Sequence, residues 1–177
     1  MRSLAFVLTL ALCLPACNAA NSVKDEPPGD RGQFSSSGRA PTFESLLTSA
    51  KKGPTGWDEV SAALGTVFDL KALPGDSLSG KGPARLSDGR VLSLVSINNP
   101  ARQIDIGVAA EPCVAPAWAA HIVGARLNPV YQDAHGVDRG RQYDATINGM
   151  LIRFNTTPVT YRCVTSIHIY PAPKERP

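Results

Sequence analysis

Tyr143-Asp144-Ala145-Thr146-Ile147-Asn148-Gly149-Met150-Leu151-Ile152-Arg153-Phe154 is the stretch that decides the fold. Asn-Gly between two alternating apolar runs is a strong hairpin signal, because both central residues of a type I′ turn need positive φ. Centring the turn on Asn148-Gly149 pairs Ile147 with Met150, Ala145 with Ile152 and Tyr143 with Phe154 on one face. The same register sets Asp144 opposite Arg153 on the other face. A slip of one residue would expose the apolar set and part the two charges. The register is therefore specified twice, and the chain is expected to be built on antiparallel pairing.

Working outward, the alternation continues on both sides. Residues 159–170 place Val159, Tyr161, Cys163, Ile167 and Ile169 inward against Arg162, Ser166 and His168 outward. In residues 103–109, Ile104, Ile106 and Val108 share one face and Asp105 takes the other. Asp88-Gly89 marks a further hairpin between residues 83–87 and 90–97. Residues 69–81 read as loop, with Pro74-Gly75-Asp76 as a turn.

Earlier in the chain the period changes to that of helices. Phe43, Leu46, Leu47 and Ala50 fall at i, i+3, i+4 and i+7, and Gly53-Pro54 ends that helix. A second helix, capped by Asp58 or by Thr55, puts Val60, Ala63 and Leu64 on one face and ends at Gly65. A short helix over Pro116–Val123 would bury Trp118 and Ile122. The expected fold is α+β: two short N-terminal helices on an antiparallel sheet of about five strands, closed by one disulfide. Residues 42–177 are expected to form a single domain of this kind.

The N-terminus is a different material. Arg2 precedes an apolar run from Leu4 to Leu14, interrupted only by Thr9. A membrane-spanning helix needs about 20 residues, so this shorter run reads as an export signal over residues 1–17. Leu14-Pro15-Ala16-Cys17 resembles the lipid-attachment box of bacterial lipoproteins, with Pro15 where Ala, Ser or Thr is usual. Cleavage after Ala19 or Ala20, with loss of Cys17, is the alternative. Asn18 is not the aspartate associated with retention at the inner membrane, so lipidation at Cys17 implies an anchor on the periplasmic side of the outer membrane. Without lipidation the protein would be soluble in the periplasm. Residues 18–41, rich in Pro, Gly, Ser and mixed charge, read as a disordered tether. Removing Cys13 with the signal and assigning Cys17 to the lipid leaves Cys113 and Cys163. In an oxidising compartment these form a disulfide, with unpaired buried thiols as the alternative.

Chemistry is sparse in the sequence. His121, His135 and His168 have no metal-ligand spacing, and no nucleophile elbow, phosphate loop or dinucleotide fingerprint is present. No metal and no cofactor is expected, and no enzymatic activity is expected from motifs alone. The most function-like segment is Gln132-Asp133-Ala134-His135-Gly136-Val137-Asp138-Arg139-Gly140-Arg141. It reads as a recognition loop in which His135, Asp138, Arg139 and Arg141 contact a partner. Asp133 and Asp138 lack the alternating ligands of a calcium loop. A formal charge of +3 and the lack of interleaved aromatics argue against nucleic acid.

Trp57-Asp58-Glu59-Val60-Ser61-Ala62-Ala63-Leu64-Gly65-Thr66 resembles a short helix motif of small exported domains related to the outer-membrane assembly lipoprotein BamE and to β-lactamase-inhibitor-type proteins. The resemblance covers ten residues of 177. It implies short helices before an antiparallel sheet and a role in binding other proteins, and it transfers no functional residue. The expected function is that of a lipid-anchored periplasmic protein that binds an envelope protein, as an inhibitor or immunity protein against a cell-wall-degrading enzyme or toxin. The alternative is a structural or assembly lipoprotein of an envelope complex. The oligomeric state is left open.

Overall fold

The computed structural model describes residues 40–128 and 135–173. The expected export signal, Cys17 and all of the expected tether but Ala40 and Pro41 lie outside the described residues, as do Gln132, Asp133 and Ala134. The described residues contain helices α1 (Phe43–Ala50), α2 (Pro54–Gly65) and α3 (Pro116–Val123). The strands are β1 (Lys71–Leu73), β2 (Ser77–Arg85), β3 (Val91–Asn98), β4 (Gln103–Val108), β5 (Arg126–Asn128), β6 (Gln142–Ile147), β7 (Met150–Thr156) and β8 (Val164–Pro171). No described helix is long and apolar enough to cross a membrane.

The strands form one sheet in the order β1-β2-β3-β4-β8-β7-β6-β5, antiparallel throughout. It is two four-stranded meanders joined where β4 pairs with β8. The α+β class is as expected, but the sheet has eight described strands rather than about five. The missed strands carry no apolar alternation. β1 and β5 are three-residue edge strands. The first half of β2, read as loop, is a serine- and glycine-containing run recruited by pairing with β3.

The β6–β7 hairpin has the expected register: Ile147 pairs with Met150, Ala145 with Ile152, Tyr143 with Phe154, and Asp144 with Arg153. Asn148 and Gly149 have φ of 49° and 77°, as a type I′ turn requires. The Asn148 Nδ2 donates to the Lys51 carbonyl at 2.8 Å, so the turn is tied to the end of α1. Thr42 caps α1 through a reciprocal bond with Ser45, and Phe43, Leu46, Leu47 and Ala50 are buried.

The second helix starts earlier than its cap signals suggest. Gly53 is the N-cap, and neither Asp58 nor Thr55 fills that role. Pro54, with φ preset and no N–H to satisfy, begins the helix directly. Trp57, Val60 and Leu64 are buried, so packing accounts for these apolar residues of the helix. In α3 the small residues Ala119 and Ala120 are buried together with Pro116 and Val123. Trp118 and Ile122 are only partly buried. The Trp118 ring instead lies 5.9 Å from Phe43 and takes the Arg90 guanidinium at 4.2 Å.

All three helices contribute to one core on one face of the sheet, with Phe43, Leu47, Leu64, Ile104, Ile106, Ile152, Phe154, Ile167 and Ile169 inside. Each large side chain buried there contributes about 1.5–3 kcal/mol. The last strand departs from its expected start. It begins at Val164 rather than at Val159, and Thr165 is a bulge between the pairs Thr156–Val164 and Asn155–Ser166. The bulge resets the alternation, so Val164 is buried and Cys163 only partly so. Val159, expected inward, is 76% exposed. The Cys113–Cys163 disulfide is nonetheless formed, with a Cα–Cα distance of 5.3 Å.

Candidate functional site

The helices cover one face of the sheet, and strand alternation makes the opposite face polar. Register then lines the polar residues up in rows. One row crosses five strands as Asp105, His168, Arg153, Asp144 and Arg126. The next holds Ser166, Asn155, Gln142 and Asn128. Arg153 grips Asp144 with two bonds, Nε to Oδ1 at 2.8 Å and Nη2 to Oδ2 at 2.9 Å. That bidentate, half-buried pair is worth about 1.5–3 kcal/mol.

His168 sits at the centre of a second network. Its Nδ1 lies 2.6 Å from Asp105 Oδ1, and Gln103 Nε2 donates to the other carboxylate oxygen at 2.8 Å. A carboxylate only accepts, so the Nδ1 carries the proton. In the neutral ring the Nε2 is then the acceptor, facing Ser166 Oγ at 3.1 Å and Asn155 Nδ2 at 3.0 Å. Asn155 Nδ2 also donates to Ser166 Oγ at 2.9 Å. His168 is thus anchored on both sides and not simply solvated, which alternation alone did not disclose.

Asp105, His168 and Ser166 have the connectivity of an acid–base–nucleophile relay. The rest of an acyl-transfer site does not follow from the sheet. Main-chain N–H groups in a regular ladder lie in the plane of the sheet, so regular pairing does not by itself aim a donor at an oxyanion beside Ser166. The Asn155 amide also competes for the base lone pair. Gln103, Gln142, Arg153, Asn155, His168 and Tyr170 line a shallow recess of about 320 Å³. Burial pushes the Tyr170 hydroxyl pKa up, partly opposed by the Arg153 charge.

A different geometry governs residues 157–163, between β7 and β8. Thr157 N–H donates to the Cys163 carbonyl at 2.9 Å, and Tyr161 N–H to the Thr157 carbonyl at 3.0 Å. The Thr157 hydroxyl accepts the Arg162 N–H at 3.1 Å. Asp138 reaches across from the preceding loop. Its Oδ1 accepts the Gly140 N–H at 2.8 Å, and its Oδ2 accepts Val159 N–H at 3.2 Å and the Tyr161 hydroxyl. The Tyr161 bond, followed by that of Gly140, holds the Asp138 carboxyl pKa below its usual value. The same bond raises the Tyr161 pKa. Arg141 lays its guanidinium 4.4 Å from the Tyr161 ring centre. Gly140 must be glycine: its φ is +95°, and a Cβ would come within 2.2 Å of the Thr156 carbonyl oxygen.

Val159 and Tyr161 are held at φ of 63° and 53°. For a β-branched valine that region is costly, on the order of 1–3 kcal/mol, and it persists only where the surroundings over-determine it. Here the disulfide, Asp138 and Thr157 do so. The clamp leaves the Val159 side chain in solvent, with exposed Arg141 and Arg162 nearby in the chain and the clamp.

Of the residues expected to meet a partner, His135, Arg139 and Arg141 are exposed. Asp138 is turned onto the neighbouring loop and acts as its clamp. Val159 and Tyr161 were expected inside the sheet, and the bulge at Thr165 that moves them had no signal in the sequence pattern. His121 is exposed on α3. Among the described residues no group of His, Cys, Asp and Glu is placed to hold a metal ion.

These observations define an α+β domain with a helix-covered face, a polar face and a disulfide-clamped loop. Comparison with protein-family models, curated proteins and solved structures finds no match.

Proposed function

We propose that this chain is an exported, lipid-anchored binding protein that neutralises a protein partner, an envelope-degrading enzyme or toxin. Residues 157–163 and the adjoining segment from His135 to Arg141 form its contact surface. The observation that carries this reading is Val159: an apolar side chain 76% exposed, on a left-handed backbone, in a loop fastened by a disulfide and a carboxylate. A loop already ordered in its bound shape loses little entropy on association, so even a small apolar anchor contributes usefully to affinity. The exposed residues Arg162 and Arg141, the latter with its guanidinium over the Tyr161 ring, suit a partner whose apolar pocket has an acidic rim. Export and the anchor rest on residues 1–17 and on Cys17. The resemblance of residues 57–66 to small envelope lipoproteins adds a modest reason to favour binding.

The test is capture of partners from the cell envelope by the full chain and by Val159→Asp. A hydrolase or toxin retained by the wild type, inhibited by it, and lost with Val159→Asp is the expected result. No specific partner would refute the reading, and recovery of an envelope-assembly complex would favour the structural role instead. For the anchor, Cys17→Ala should move the protein from the membrane fraction to the soluble periplasm. Retention in the membrane would refute lipidation at that residue.

A further inference from the structure

Gln142 and Asn155 are registered neighbours on the polar face of the sheet. Gln142 is 5% exposed, yet among the described residues no hydrogen bond reaches its side-chain amide, which lines the recess. Asn155 commits its Nδ2 to Ser166 and His168, while its Oδ1 is buried without a partner. Buried polar atoms are nearly always paired, so Asn155 Oδ1 calls for an explanation, and the Gln142 amide beside it is open to the recess. The charged groups around them are already engaged: Asp105 with His168, and Asp144 with Arg153. What the recess still offers is amide N–H, amide carbonyl and the Tyr170 side chain, whose ring has the Arg153 guanidinium 6.0 Å from its centre.

Neutral donors and acceptors beside an aromatic ring match a ligand with many hydroxyls and no charge. We propose that this recess binds a neutral saccharide. A recess of about 320 Å³ is at the small end of ligand sites and suits one or two pyranose rings. Gln142 would give and accept a bond to adjacent hydroxyls, Asn155 Oδ1 would accept a third, and Tyr170 would pack its ring edge and hydroxyl against the sugar. The inference uses the open sheet face and not the clamped loop, so either proposal can fail without the other.

The test is titration of the full chain with N,N′-diacetylchitobiose, followed by the side-chain amide resonances of Gln142 and Asn155. Both should shift at millimolar sugar. Gln142→Ala and Tyr170→Ala should each weaken binding about tenfold. Wild-type melting of these variants shows that the fold survives, and the wild-type amide shifts stand as a readout if a variant does not fold. Amide resonances that do not move with the sugar, meaning that ordered water alone satisfies them, would overturn the proposal. So would glutarate, a dianion, shifting them in place of the sugar, or Gln142→Ala folding and binding the sugar as tightly as wild type.

Discussion

The polar face of the sheet and the loop over residues 157–163 are held by opposite means. On the sheet, neighbours are set by register: once Asp144 opposes Arg153, strand geometry brings His168 and Asp105 into the same row. In the loop, neighbours come from distant chain: Cys113 is 50 residues from Cys163, and Asp138 is 21 from Val159. The sheet face carries little backbone strain, and its polar groups are mostly paired. The loop concentrates strain at Val159 and Tyr161 and is fastened from outside. A repetitive scaffold can position many polar groups at low cost. A strained, exposed tip needs dedicated clamps, and removing them one at a time separates the two regions.

Breaking the disulfide should have the largest effect. Cys113→Ser opens a loop of 50 residues and should cost about 4 kcal/mol, read as a lower melting temperature. Equal melting of oxidised and reduced wild type would show that the loop needs no covalent clamp. Breaking the sheet row comes next. Asp144→Ala removes the bidentate partner of Arg153 and should cost about 1.5–3 kcal/mol in urea unfolding. It should leave partner binding through the loop unchanged.

Relieving the strain sharpens the comparison from the other side. Val159→Gly removes a side chain that disfavours positive φ and should stabilise the fold by about 1 kcal/mol or less, while weakening partner capture. If both stability and capture were unaltered, Val159 would be neither strained nor in contact.

The smallest expected effect is the response to pH. The folded Asp138 pKa is depressed, so its stabilising contribution is present above the unfolded carboxyl value and is lost as pH falls through the folded one. The Tyr161 pKa is raised, so its contribution is complete below the unfolded phenol value and is lost as pH rises through the folded one. Amide exchange at Val159 should therefore be slowest, after correction for intrinsic rates, between those limits. Asp138→Asn should flatten the acid limb. An unchanged acid limb in that variant would remove Asp138 from the clamp.

Much of the fold was legible, for reasons visible at particular residues. Asn148-Gly149 dictated a turn and hence a register, and the spacing of Phe43, Leu46, Leu47 and Ala50 dictated α1 and its buried face. The edge strands β1 and β5 were not legible, because three residues without apolar alternation become strands only when a neighbour pairs with them. The polar site was half legible. Alternation sends Asp105 and His168 outward, but only the adjacency of β4 and β8 brings them within 2.6 Å.

Local pattern and covalent chemistry, both written in the sequence, determined the hairpin register, the class of the fold and the pairing of Cys113 with Cys163. Tertiary structure alone decided that Thr165 bulges, that Val159 faces solvent and that Asp138 clamps it. Periodicity reports which face of an element is apolar. A bulge and a long-range carboxylate contact arise from competition between elements distant in the chain, which local periodicity does not record.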